Sequence, residues 1–277
     1  MQPNLIKTKI IPFFHRFVAN LEFTRRLPKE FGFQPIISSP RVNLRYLYTS
    51  HESLYQELLR VAYQYVEPGQ NVWDIGANIG VFTFASAYRV GHSGRVLAVD
   101  ADDRHTCLLR KSSLRSLPQS APVDVLNAAV ADKVKITELN VVETGHAKNY
   151  IVETSGCGET GKVISRKHTV SVTLDWLLAY FPKPDFIKID VEGAELMVLQ
   201  GATEMLQKIR PIFYLEAQDY NQMEVTKLLK NFDYNLYTVA GDASDLVQIE
   251  QCGFNTLACP KEMYDKLKLQ EPDIAVN

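Results

Sequence analysis

Between residues 52 and 231 short apolar runs alternate with stretches of helical periodicity, and this alternation constrains the chain more than any other feature. A helix is predicted over about 52–66, ended by the turn signal Glu67-Pro68-Gly69, and a strand over 71–75. A helix, a strand and a helix follow over about 79–90, 95–100 and 103–116, then a strand over about 123–130. The Gly-rich stretch 134–172 reads as a pair of strands, and Thr173 begins a short helix. A strand covers 185–190, a helix starts near 193, and Pro211 opens a strand over 212–217. A helix over about 221–231 precedes two final strands, near 234–240 and 254–259, predicted to be antiparallel. Strands separated by helices make βαβ units, hence an α/β, doubly wound fold with a parallel sheet covered on both faces. Ligands of such sheets bind beyond the carboxyl ends of the strands, near the point where strand order reverses. The residues that end strands 71–75, 95–100, 185–190 and 212–217 therefore carry the functional expectations.

The length of 277 residues suits one large domain with an appendage. Residues 1–50 read as a basic, aromatic extension and residues 51–277 as the main domain. The extension carries a net charge of +6, which leaves −8 on the remainder of a chain of net charge −2. Ile6, Ile10, Phe13, Phe14, Phe17, Val18 and Leu21 recur there at helical spacing, with Pro12 as a break or a start. A helix docked on the domain or on a second copy is expected. A gating element, or a helix lying on an anionic membrane surface, are the alternatives. Residues 31–50, with Pro35 and Pro40, read as an extended connector. The acidic balance of the main domain argues against a nucleic-acid partner. Cys107, Cys157, Cys252 and Cys259 show no CxxC spacing and no histidine at ligand spacing, so neither a zinc site nor a disulfide framework is expected. A reducing, cytoplasmic setting fits this usage. No uncharged apolar run reaches the roughly 18 residues of a membrane span, and no signal-peptide pattern opens the chain. Oligomeric state is not legible.

The first strand runs into Asp74-Ile75-Gly76-Ala77-Asn78-Ile79-Gly80. Gly76 lets the chain turn sharply and approach a ligand, and Gly80 lets the helix pack closely. The spacing lacks the second glycine that brings backbone to a pyrophosphate, which points away from NAD and toward a nucleoside cofactor without phosphates. Asp100 ends the next strand twenty residues after Gly80. A carboxylate there can accept hydrogen bonds from both ribose hydroxyls. Asp74 either caps the turn by accepting backbone N–H bonds or serves the cofactor's ammonium group.

These motifs resemble those of the FkbM-type methyltransferases. Val72-Trp73-Asp74-Ile75-Gly76-Ala77-Asn78-Ile79-Gly80 is similar to the family's first motif, and Ile187-Lys188-Ile189-Asp190-Val191-Glu192-Gly193-Ala194-Glu195 to its most characteristic one. Asn127-Ala128-Ala129-Val130, Val172-Thr173-Leu174-Asp175, Leu199-Gln200-Gly201-Ala202, Arg210-Pro211 and Tyr214-Leu215-Glu216 continue the match in order, so the resemblance covers about 66–217. It implies a class I methyltransferase fold whose sheet ends in an antiparallel strand. It also implies S-adenosylmethionine as cofactor and transfer to a hydroxyl of a small molecule, sugar or glycan. Asp74, Gly76, Asn78, Gly80 and Asp100 are then the expected cofactor-binding residues. After the second strand the family usually shows Glu-Pro and an Asn-rich helix, whereas this chain reads Val99-Asp100-Ala101-Asp102 and Arg110-Lys111-Ser112-Ser113. Adenine contacts are not carried over from that segment.

At the acceptor end Asp190, Glu192 and Glu216 are the expected catalytic residues. If their strands are neighbours, Asp190 and Glu216 sit side by side and can share a proton, or hold a divalent cation. Glu192 and Glu195 also suit the first turn of a helix, where acids offset the macrodipole. Lys188, inside an apolar strand, calls for a carboxylate partner. His146 and His168 are the alternative bases, in or beside an irregular segment of the kind that forms lids. An NAD-dependent oxidoreductase is disfavoured by the glycine spacing. Nucleic-acid base methylation is disfavoured because Asp190-Val191-Glu192-Gly193 has neither prolines nor an aromatic. A non-catalytic cofactor-binding protein of the same fold is the remaining alternative.

Overall fold

The structure is a computed structural model that describes residues 21–40, 42, 55–142, 149–152, 163–238 and 246–263. The predicted N-terminal helix and His146 lie outside the described residues. In chain order, β1 (Phe23–Arg26) and β2 (Pro35–Ser38) form an antiparallel hairpin around a 3-10 turn. Then come α1 (Gln56–Tyr65), β3 (Asn71–Ile75), α2 (Val81–Val90), β4 (Arg95–Asp100), α3 (Asp103–Ser113) and β5 (Val123–Asn127). The middle holds β6 (Ala129–Val130), β7 (Lys135–Val142), β8 (Tyr150–Ile151), β9 (Val163–Val172) and α4 (Leu174–Leu177). The last part holds β10 (Phe186–Ile189), α5 (Glu195–Gln200), a π-helical turn (Met205–Ile209), β11 (Ile212–Glu216), α6 (Gln222–Asn231), β12 (Tyr234–Thr238), β13 (Val247–Ile249) and β14 (Asn255–Pro260).

Eight strands form the main sheet in the order β13-β12-β14-β11-β10-β3-β4-β5. The pairs from β11 through β5 are parallel, whereas β14 joins β11 and β12 antiparallel, as expected from the sequence. Alternate residues of each strand enter separate cores. Val72 and Phe186 pack on one face, while Trp73, Ile75, Ile187 and Ile189 pack on the other. This two-sided burial explains the near-continuous apolar runs of the central strands. β3 has β4 on one side and β10 on the other, so the order reverses at β3. The crevice between the ends of β3 and β10 is therefore the place for a ligand.

Three features differ from the sequence expectation. The strand expected over 123–130 is broken at Ala128, whose N–H donates to the Asp100 carbonyl. The chain leaves the main sheet there, and β6 joins a second sheet of order β6-β9-β7-β8. The segment 134–172 supplies the rest of that sheet, whose Leu139 and Ile151 form a small core with Ala129, Ala131 and Ala194. Finally, residues 31–50 are not simply an extended connector, because β2 is fully buried. Gln34, also fully buried, accepts from the Leu117 N–H and the Ser120 hydroxyl and donates to the Ser116 hydroxyl. The Ile37 N–H donates to the Ser112 hydroxyl of α3. The hairpin is thus stitched to α3 and the turn after it. Among the described residues no helix is long and apolar enough to cross a membrane.

Candidate active site

The turn that ends β3 is set by backbone geometry. Gly76 has φ +77°, and a Cβ placed on it would lie 1.7 Å from the Asp190 carbonyl oxygen. Its bare backbone is therefore required by the protein's own backbone just after β10, and the same residue lines the cavity described below. Gly80 has φ +91°, and a Cβ there would meet Leu109 of α3 at 2.6 Å. Between them Asn78 adopts φ +52°, a conformation asparagine tolerates better than most residues.

Asp100 is buried at the end of β4 and gathers the turn around it. Its Oδ2 accepts the Asn78 N–H at 2.7 Å, and its Oδ1 accepts the Asp102 N–H at 2.8 Å. His105 Nδ1 lies 3.0 Å from the same Oδ1. A carboxylate offers roughly four acceptor positions. With three engaged, one is left for a ligand.

Ile75, Val99, Ala128, Val130, Leu139 and Ile151 wall a cavity open to solvent. Gly76, Asn78, Asp100, His105, Asn149, Asp190 and Glu192 also line it. Apolar walls with a few polar groups are the ordinary makeup of a small-molecule site. Asn78 Oδ1 and His105 Nε2 are buried with no hydrogen-bond partner among the described residues. The second sheet contributes one wall and is tied to the loop after β4. Asn149 Nδ2 donates to Asp102 Oδ2 at 2.6 Å, and Lys167 of β9 pairs with Asp102 and Asp103.

Asp74 stands below the turn and outside the cavity lining, fully buried. It accepts the Thr83 hydroxyl at 2.5 Å and pairs with Lys188 Nζ at 3.2 Å. Lys188 also donates to the Gly76 carbonyl at 2.8 Å and lies 3.3 Å from Asp190 Oδ2. Burial opposes the Lys188 charge, but Asp74, Asp190 and Glu216 outweigh it and push its pKa up. Asp74 is thus linked to the cavity through Lys188, which joins the ends of β3 and β10. The partner that Lys188 calls for in the sequence proves to be two carboxylates.

Asp190 follows β10 and Glu216 ends β11, adjacent parallel strands in register at Ile189 and Leu215. Burial, reinforced by Asp190, pushes the Glu216 pKa up to about 8. Lys188 opposes the rise, while Glu192 and Glu57 add to it. Glu57 comes from α1 and accepts a 3.3 Å hydrogen bond from the buried Tyr214 hydroxyl. Glu192 lies before α5 at φ +53° and lines the cavity, so it is not in the helix's first turn. Glu195 is in that turn but buried, accepting from the Gly193 N–H and from Asn221 Nδ2, both at 2.9 Å. Its role is to hold the loop. His168 is exposed on β9, 3.5 Å from Glu138, and does not line the cavity. Among the described residues no group of three or more His, Cys, Asp or Glu side chains is arranged to hold a metal ion.

His105 and Glu57 were not singled out from the sequence. For His105 a signal existed, since His105, Leu108, Leu109 and Ser112 form the buried stripe of α3 and His105 stands at its start. Glu57 had none, because only the tertiary fold brings α1 to β11.

The profile of the methyltransferase FkbM domain matches residues 74–255. The chain belongs to this family. It is an S-adenosylmethionine-dependent methyltransferase, as the motifs imply. The hexuronic acid methyltransferase AglP of Haloferax volcanii is 27% identical over 174 residues, which span 63% of this chain and 67% of that protein. Among solved structures, methyltransferase FkbM from Methylobacillus flagellatus is 15% identical with a TM-score of 0.43, covering 92% of this chain and 60% of that one. Aeropyrum pernix fibrillarin in complex with S-adenosyl-L-methionine is 11% identical with a TM-score of 0.43, covering 86% and 93%.

Proposed function

We propose that this FkbM methyltransferase transfers a methyl group from S-adenosylmethionine to a hydroxyl of a saccharide, with Asp190 and Glu216 handling the hydroxyl proton. The observation that carries this reading is the crevice at β3 and β10, where an apolar-walled cavity is lined by Asp190 and Glu216 ends the neighbouring strand. Its apolar walls, the remaining acceptor position of Asp100 and the unpartnered Asn78 Oδ1 fit an adenosine-bearing donor. When bound, the donor supplies an electrophilic methyl on a sulfonium, whose thioether leaving group needs no proton.

The chain's own task is alignment and proton removal. Asn78 and Asp100 hold the nucleoside end. Asp190, steadied by Lys188, hydrogen-bonds the acceptor hydroxyl and takes its proton as the oxygen–carbon bond forms and the carbon–sulfur bond breaks. Glu216, adjacent and with a raised pKa, receives that proton when it is itself ionised. A divalent cation at this pair would compete with the Lys188 ammonium, so no step is assigned to one. The saccharide class is supported by the hexuronic acid named for the Haloferax relative. The deciding experiment is labelled-methyl transfer to a panel of mono- and oligosaccharides, with an RNA and a protein substrate alongside. Label in an alkali-stable saccharide ether supports the reading, and label only in RNA or protein overturns it.

A further inference from the structure

We infer that His105 binds the adenosine portion of the methyl donor through Nε2, while its Nδ1 fixes the carboxylate that receives the ribose. This rests on the donor-site reading above and adds a residue the family motifs do not assign. His105 stands in the first turn of α3, 3% exposed, and lines the cavity. Its Nδ1 is 3.0 Å from Asp100 Oδ1. An ionised carboxylate only accepts, so Nδ1 carries the proton of that bond. Nε2 is buried with no hydrogen-bond partner among the described residues. An unmatched polar nitrogen costs stability in a folded interior unless a ligand completes it.

The charges around the ring decide what Nε2 offers. Asp103 and Arg104 flank it on its own helix, Asp100 and Asp102 face it from the end of β4 and the following loop, and Lys167 faces it from β9. Burial works against a charged ring, but Asp100 and then Asp102 outweigh burial and Lys167, and the pKa is raised. In the imidazolium form Nε2–H is a buried donor without an acceptor. A ring nitrogen of adenine or a ribose oxygen supplies one. Above the raised pKa that donor is lost and Nε2 presents a lone pair instead. Donor affinity therefore falls as pH rises through the His105 transition.

The test is calorimetry of S-adenosylhomocysteine on the full chain from pH 5.5 to 8.5, with donor KM and kcat measured in parallel. His105→Leu removes both contacts and should raise Kd and donor KM roughly tenfold or more, the range for a charge-assisted hydrogen bond, with kcat at saturating donor within about threefold. His105→Asn retains a donor at the Nδ1 position, so it should keep the wild-type melting temperature and recover part of the affinity while showing none of the wild-type pH dependence. Affinity in His105→Leu equal to wild type, or a wild-type pH dependence persisting in His105→Asn, would falsify the assignment. Should His105→Leu fail to fold, the pH profile of the asparagine variant decides alone. A wild-type chain that binds neither S-adenosylmethionine nor its product overturns the donor-site reading itself.

Discussion

Asp190 and Glu216 share one feature, a carboxylate at the end of a central strand, but their environments differ. Asp190 lies 3.3 Å from the Lys188 ammonium, whereas Glu216 is half-buried among like charges with Lys188 as the opposing cation. Asp190→Asn keeps the shape and removes the base, and should lower kcat about 10²–10⁴-fold with product affinity unchanged. Loss of affinity with an intact rate would move Asp190 to the donor site. For Glu216 the prediction concerns pH. If it must be ionised to receive the proton, kcat rises as pH passes about 8, and Glu216→Gln abolishes that limb. The folded chain holds the Glu216 proton more tightly than the unfolded chain, whose value is near 4.5. Stability from this group is therefore full below that value and lost as pH rises through about 8. Glu216→Gln should accordingly melt higher than wild type at pH 8.5 while losing activity. A lower melting temperature there would show that the carboxylate is satisfied. The motif named these residues, but burial and neighbours, which set their protonation, were not legible in it.

At the scale of elements, βαβ alternation identified the main strands and helices, because short unbroken apolar runs and a period near four leave different patterns. It missed what depends on partners. β6 continues the apolar run of β5, and only its pairing with β9 assigns it to another sheet. β2 carries two prolines nearby and reads as connector, yet its fully buried Ile36 and the adjacent Gln34 are part of the core region. Gln34→Ala should strand the buried Ser120 hydroxyl and the part-buried Leu117 N–H, and destabilise the fold by about 1–3 kcal/mol, the cost of one unmet buried group. Chemical denaturation measures it, and a cost under half a kcal/mol would mean that the hairpin is only loosely docked. The second sheet, tied through Lys167 and Asn149 to the loop after β4, shows how an element outside the parallel core walls the same cavity.

For the whole molecule the donor preference is the first thing to measure. A ligand that binds only the folded state at a hundred times its dissociation constant stabilises by about 2.7 kcal/mol. S-adenosylhomocysteine should thus raise the melting temperature by several degrees, and NAD at equal concentration should not. A shift with NAD alone would overturn the donor reading. The family motifs and the glycine turn were written in local sequence, because each depends on neighbours within a few residues. Gly76, Asp100 and Asp190 could be named that way. What the sequence could not supply were the reasons those residues work. Gly76 is bare because the Asp190 carbonyl would otherwise sit 1.7 Å from its Cβ, and Asp100 has one free acceptor position because Asn78, Asp102 and His105 fill the others. Glu57 meets Tyr214 across 157 residues of chain. Such contacts, and the protonation states they impose, follow from distance and burial in three dimensions, which a linear pattern does not encode.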